Sequence, residues 1–201
     1  MVRQVVSDSG HCSRDYGQRR EARPATSAIG GDRHSKGVKL THLRDLPLTY
    51  AEVGATAGAL PADYRHIRAS RRIGSGRDRF EQAAGAVMRY GMLRGAGLRV
   101  IATTETAQVG SDVLGRLGPF VAPCRVVYVI AEPDRRGFAY GSLPGHAVSG
   151  EEMFGVRYDP SDDGVYSEVV AFSRPATWWS RIGSPALALA QRIVTARYLG
   201  A

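Results

Sequence analysis

A continuous stretch from Cys124 to Arg174 constrains the fold more than any other part of this chain. Within it, short apolar segments are separated by turns that are dense in glycine, proline and charged residues. The turns at Glu132-Pro133-Asp134 and Asp162-Asp163-Gly164 have the composition of tight strand connections. We therefore predict a meander of antiparallel strands that is curved enough to wrap around a helix or a cavity.

The residues before this meander predict one strand and one helix. Residues Tyr64 to Ile73 favour a β-strand and end at a Gly-Ser-Gly turn. Asp78 and Glu81 resemble a capping box, and apolar side chains then recur at helical spacing through Met92. We also expect a short helical piece over residues 50–60 and strands over residues 98–103, 108–114 and 121–131.

The residues after the meander predict a long C-terminal helix. From Trp178 to Tyr198, apolar residues form a stripe opposite Gln191, Arg192 and Thr195. The order of elements is that of a helix-grip fold, which belongs to the α+β class. We predict a curved antiparallel sheet of about seven strands wrapped on this helix, with a pocket between the two.

Composition predicts one domain and no membrane span. The chain has 201 residues, of which 43% are hydrophobic, which is enough for one core. Residues 43–201 are expected to form this domain. Residues 1–42 lack hydrophobic periodicity and are expected to be a disordered basic extension, either a functional arm or the product of a mis-assigned start. Without an apolar secretory segment or paired cysteines, we expect a soluble, cytoplasmic protein.

The formal charge of +8 raises the question of nucleic-acid binding. Residues 1–45 and residues 46–201 each carry a net charge of +4, so the domain itself is only modestly basic. No helix-turn-helix, zinc-finger or aromatic RNA-binding pattern accompanies this charge. A solvated basic face is the preferred interpretation of the one local cluster, which consists of Arg65, Arg68, Arg71, Arg72, Arg77 and Arg79.

Several long motifs resemble one known family, the domains of unknown function designated DUF1990. The motifs are the Gly74-Ser75-Gly76 turn followed by Phe80, CRVVYV at 124–129, GFAYGSLPGHAVSGEEMF at 137–154, SRPATWW at 173–179 and QRIVTARY at 191–198. The chain departs from the family pattern at Ser142, where Thr is usual, and at Ala147, where Pro is usual. The resemblance implies a START-like, or Bet v 1-like, fold that holds apolar ligands, and it implies no established activity.

The segment from Gly141 to Glu152 contains the main candidate site. It could place His146 and a glutamate at the mouth of a pocket for acid and base chemistry, although a structural role of this connection is preferred. Because strand residues alternate between faces, Glu152 shares a face with Phe154, whereas Glu151 shares the opposite face with Arg157. Glu152 is therefore the better candidate for a side chain inside a cavity.

Four further residues are candidate ligand contacts. Arg125 and Arg174 lie beside apolar segments, where either could anchor an anionic group or form a structural ion pair. Tyr140 and Tyr158 could donate hydrogen bonds into a pocket. Cys124 has no neighbouring base and is expected to be buried and unreactive.

The residues leave three functions open. The preferred one is non-enzymatic binding of a small apolar or amphipathic molecule in the cavity, with Arg125, Tyr140, Glu152, Tyr158 and Arg174 as contacts. A cyclase- or hydrolase-like enzyme with His146 or Glu152 as general base is the second. Binding of nucleic acid or an anionic surface by the arginine cluster is the third. No cofactor is expected, and no metal, since His146 lacks a second histidine at ligand spacing.

Overall fold

The computed structural model describes residues 40–176. Most of the expected N-terminal extension and the whole of the predicted helix from Trp178 to Tyr198 lie outside this range. The described residues form an α+β fold with one seven-stranded antiparallel sheet, as predicted. The strands are β1 (Arg65–Ser75), β2 (Arg99–Ala102), β3 (Asp112–Leu117), β4 (Phe120–Glu132), β5 (Arg135–Ser142), β6 (Val148–Asp159) and β7 (Gly164–Pro175), and the helices are α1 (Arg77–Met88) and α2 (Gly91–Gly95).

The order of strands in the sheet is β1-β7-β6-β5-β4-β3-β2. Strands β2 to β7 pair with their neighbours in sequence, whereas β1 pairs with β7 at one edge of the sheet. The register shifts between Arg72 and Gly74 in β1 and between Val126 and Tyr128 in β4. Such bulges increase local twist and bend a strand, which is consistent with the curvature of this sheet.

The inner face of the sheet is the one that α1 and α2 cover. Helix α1 contributes Phe80 and Val87 to the main core, where they pack with inner-face residues such as Phe138 and Phe154. The alternation predicted for β6 is confirmed, because Phe154 and Val156 belong to this core. Burial of such side chains is the main stabilising contribution to the fold, about 25 cal/mol per Å² of apolar surface.

The predicted single helix through Met92 is wrong, because the structure divides it into α1 and α2. Tyr90 adopts a left-handed conformation with φ of 60°, which ends the regular hydrogen bonding of α1. Gly91 follows, and a Cβ atom there would lie 2.6 Å from the carbonyl oxygen of Ala86. The chain can make this tight junction only with glycine at position 91.

The outer face of the sheet is covered by the segment of residues 43–60, which we call the strap. At one end, Leu43 packs with Leu114 and Leu143. At the other end, Tyr50 packs edge-on against Phe172, with ring centroids 5.5 Å apart. The helical piece expected over residues 50–60 is limited to a single 3-10 turn at Ala55–Ala57.

Within residues 40–176, no helix has the length and apolar character that a membrane crossing requires.

Candidate functional site

Glu152 and Tyr140 form a polar pair on the inner face. They occupy paired positions on β6 and β5, and the Tyr140 hydroxyl donates to Glu152 Oε2 at 3.3 Å. The Tyr140 ring packs edge-on against Phe154 with a centroid distance of 5.2 Å. On the other side of β6, the residue paired with Glu152 is Ala171. Glu152 is thus partly buried, beside aromatic and small apolar side chains of the described strands.

The surroundings of Glu152 make ionisation costly. Burial raises the pKa of Glu152 from 4.5 to about 7, and the hydrogen bond from Tyr140 only partly opposes this shift. Among the described residues, no cation lies within ion-pair distance of this carboxylate. Glu152 can thus exchange a proton near neutral pH, either accepting as a carboxylate or donating as an acid.

Cys124 lies close to this pair. Its side chain is buried in the inner-face core, and burial raises the pKa of the thiol, with a further contribution from the charge of Glu152. A thiol with a raised pKa is rarely a thiolate at neutral pH, so it is a weak nucleophile. The expectation that Cys124 is buried agrees with the structure.

Tyr158 lies on the same face as Glu152 but six residues further along β6. Its hydroxyl donates to Asp163 in the β6–β7 turn at 2.9 Å, and the Arg77 guanidinium lies 4.3 Å from the centre of its ring. At about 3.3 Å per residue, the two positions are about 20 Å apart along the strand. The structure does not bring Tyr158 together with Glu152 and Tyr140.

A cavity of about 250 Å³ opens elsewhere on the inner face, between the two helices and strands β1, β6 and β7. Val156 and Ser167 contribute the sheet side of this cavity. The four residues from Glu152 to Val156 span about 13 Å, so the cavity lies beyond the polar pair along β6. The remaining lining residues are Ile73, Arg79, Ala83, Ala86, Val87, Gly91, Met92 and Gly95.

Glu151 has a different role from its neighbour, because it points to the outer face. Its side chain is 2% exposed and binds the strap. Oε2 accepts from the Tyr50 hydroxyl and from the Gly54 N–H, both at 2.7 Å. Oε1 accepts from the N–H of Thr56 at 3.0 Å and from its hydroxyl. One buried carboxylate thus satisfies four donors, and burial and the bond to Glu151 raise the pKa of Tyr50.

Arg125 and Arg174 also lie on the outer face. Arg125 forms an ion pair with Asp112 at 2.7 Å and donates to the carbonyl oxygens of Leu43, Arg44 and Leu46 in the strap. The Arg174 guanidinium lies 4.7 Å from the centre of the Tyr64 ring. Neither arginine shares a face with Glu152, so the five predicted ligand contacts do not form one cluster.

His146 lies in the connection between β5 and β6. Its Nδ1 accepts a hydrogen bond from the Val148 N–H at 3.1 Å, which is a structural role of the kind that the sequence favours for this connection. Burial lowers the pKa of His146 to about 4, so the imidazole is neutral near pH 7. The histidine precedes β6, whereas Glu152 lies within that strand.

The arginine cluster is distributed over β1 and the start of α1. Several members already have partners within this chain. Arg77 forms an ion pair with Asp134, Arg79 donates to the Ile73 carbonyl and Arg68 donates to the Gly58 carbonyl. Charged residues on an edge strand also oppose pairing with other chains.

No group of three or more potential metal ligands occurs in residues 40–176.

The binding of the strap by Glu151 and Arg125 is the feature that sequence reasoning missed. Alternation along β6 predicts that Glu151 faces away from Glu152, but nothing near it in the sequence identifies a partner. Glu151 and Tyr50 are 101 residues apart. The only local signal is that residues 43–48 are apolar, contain a proline and lie at the start of the expected domain.

Comparison with known proteins identifies relatives of this chain. It matches the protein family described as "Domain of unknown function (DUF1990)" over residues 49–201. A UPF0548 protein of Deinococcus radiodurans is 34% identical over 164 residues, which cover 74% of this chain and 82% of the relative. A UPF0548 protein of Arabidopsis thaliana is 31% identical over 130 residues, which cover 60% and 62% of the two chains.

A solved structure supports the same fold. A hypothetical protein of Helicobacter pylori aligns with a TM-score of 0.51 and 6% sequence identity. The alignment covers 77% of this chain and 95% of the other. At this identity, the likeness concerns the fold alone.

Proposed function

Since this chain belongs to the family of domains of unknown function DUF1990, whose description specifies no activity, we propose a function from the site itself: the protein binds a small apolar or amphipathic molecule on the inner face of its sheet. In this proposal the apolar part of the ligand lies against aromatic side chains. Its polar end lies at Glu152 and Tyr140.

The carboxylate of Glu152 is the observation that carries this proposal. A pKa of about 7 in place of 4.5 means that ionisation in the folded protein costs about 3 kcal/mol. A position needed only for packing would be filled better by an apolar side chain. Ionisable groups whose pKa is shifted by burial occur frequently at binding and catalytic sites.

The surroundings of this carboxylate suit an apolar ligand. Tyr140 is partly exposed and packs on the buried rings of Phe138 and Phe154, with centroid distances of 5.2 to 6.2 Å. The cavity of about 250 Å³ further along the same face is slightly smaller than the roughly 300 to 1,000 Å³ of typical ligand pockets. Ligand sites of this kind combine an apolar lining with a few polar groups that orient the ligand.

Titration with the neutral fluorescent probe N-phenyl-1-naphthylamine tests the proposal. Neighbouring residues of β7 provide a matched pair of variants, because Ala171 pairs with Glu152 on the inner face and Val170 lies on the outer face. Ala171→Leu is expected to weaken probe binding at least tenfold, because its larger side chain occupies the space beside Glu152. Val170→Leu is expected to bind the probe like the wild type.

Urea unfolding of both variants shows whether they are folded before binding is compared. If the wild type does not bind the probe, the proposal fails for neutral apolar ligands of this size. Equal weakening by both variants would place binding away from the inner face and would also contradict it.

A further inference from the structure

The charges around Glu152 are distributed in a way that selects among possible ligands. The described strands place few charged side chains on the inner face: Arg65 and Arg71 on the edge strand β1, Arg136 on β5 and Glu152 on β6. Arg136 lies near the Phe80 ring, with its guanidinium 5.9 Å from the ring centre. Glu152 is therefore the one carboxylate that the described strands present on this face.

Three arginines on the strands β4, β5 and β6 are bound to carboxylates on the outer face. Arg125 is held by Asp112 on the outer face, and Arg135 and Arg157 share Glu168 there at 3.0 and 3.3 Å. The described residues give Glu152 one hydrogen bond, which Tyr140 donates to Oε2. Oε1 accepts no hydrogen bond from these residues, so it can accept one from a ligand.

We propose that Glu152 and Tyr140 bind the protonated amine of an amphipathic ligand whose apolar body lies on the aromatic inner face. This inference rests on the proposed function and specifies its ligand class. An ammonium group offers three N–H donors and a positive charge, and the Glu152 carboxylate provides the complementary charge and acceptors. The ring of Tyr140, which is partly exposed, adds a favourable interaction with a cation.

Other head groups fit this position less well. A carboxylate or phosphate would be repelled by Glu152, and within residues 40–176 no arginine forms an ion pair with Glu152 that could offset this repulsion. A hydroxyl group could accept from or donate to Glu152, but it would leave the buried charge without compensation. An amine is the group that offsets the burial of this carboxylate.

The test compares three probes that share an indole ring and differ in the end group: tryptamine, tryptophol and indole-3-propionate. Isothermal titration calorimetry near pH 8 measures each dissociation constant with the full chain. Tryptamine is expected to bind at least tenfold more tightly than tryptophol, and indole-3-propionate is expected to bind most weakly. Glu152→Gln is expected to reduce the affinity for tryptamine to that for tryptophol, while tryptophol binding changes little.

Lowering the pH provides a second readout. The titratable groups that face Glu152 from the described strands are Tyr140 on β5 and Cys124 on β4, while β7 presents Ala171. With a pKa of about 7, about 1% of Glu152 is ionised at pH 5, so tryptamine affinity is expected to fall at least tenfold from its value at pH 8, to that of Glu152→Gln. Tryptophol should show no comparable loss.

Glu132→Gln removes a formal charge from an exposed position and is the matched control. If tryptophol binds as tightly as tryptamine, or if Glu152→Gln weakens both equally, the amine inference is wrong while binding on the inner face stands. If none of the three probes binds at millimolar concentration, both proposals are contradicted for ligands of this size.

Discussion

The substitution Glu152→Gln is expected to stabilise the protein above neutral pH, although it removes a charge and keeps the shape of the side chain. In the unfolded chain, Glu152 ionises near pH 4.5, whereas in the folded protein it remains protonated up to about pH 7. Between these values the folded state binds more protons, so its stability falls as the pH rises. The loss is complete above about pH 7.

The magnitude follows from the difference in pKa. The difference between a pKa of 4.5 and one of about 7 corresponds to about 3 kcal/mol, which the wild type loses between about pH 4.5 and pH 8. Glutamine is neutral at both values and removes this contribution. Relative to the wild type, Glu152→Gln should therefore gain about 3 kcal/mol more at pH 8 than at pH 4.5.

Urea unfolding at the two pH values measures this difference directly, with equal slopes required for the comparison. Other titrating groups affect wild type and variant alike and cancel in the difference. Glu132→Gln controls for the change in net charge. A difference below about 0.5 kcal/mol would show that Glu152 ionises normally and would refute the argument from burial.

Three further predictions concern the strap and the β5–β6 connection. Glu151→Gln should lower the free energy of unfolding at pH 7 by about 3 kcal/mol, because its amide cannot accept from all four strap donors. Urea unfolding measures this, and a stabilised variant would contradict it. Arg125→Met removes the hydrogen bonds to three carbonyl oxygens of the strap, so trypsin should cleave at Arg44 faster than in the wild type. An unchanged rate of proteolysis would show that these carbonyl contacts do not hold the strap. Burial lowers the pKa of His146 from 6.5 to about 4, so the unfolded chain binds a proton at a higher pH than the folded protein and the wild type loses stability as the pH falls below 6.5. His146→Asn should reduce this loss of stability between about pH 7.5 and pH 4.5 by about 2 to 3 kcal/mol, as measured by urea unfolding. Equal acid sensitivity of wild type and variant would argue against a buried neutral imidazole.

The elements that follow local patterns could be predicted from the sequence. Turn residues identified the β4–β5 and β6–β7 connections, and alternation along β6 assigned Glu152 and Glu151 to opposite faces. The break between α1 and α2 could not be predicted in this way. It depends on the approach of Gly91 to the Ala86 carbonyl, a contact that hydrophobic periodicity does not report.

The roles of the outer-face residues depend on contacts between distant parts of the chain. Arg125 resembled a ligand anchor because it lies in an apolar strand, yet its partners in the strap are 79 to 82 residues away. Sequence patterns indicate which face a side chain occupies, but not what covers that face. For this reason the inner-face pair was easier to identify than the binding of the strap.

Methyl NMR during titration with N-phenyl-1-naphthylamine tests the central claim of inner-face binding most directly. Val169 and Ala171 lie on the inner face of β7, and Val170 lies between them on the outer face. The proposed function predicts saturable shifts of the Val169 and Ala171 methyl signals, with little change at Val170. Shifts confined to Val170, or none at all three residues under saturating probe, would contradict it.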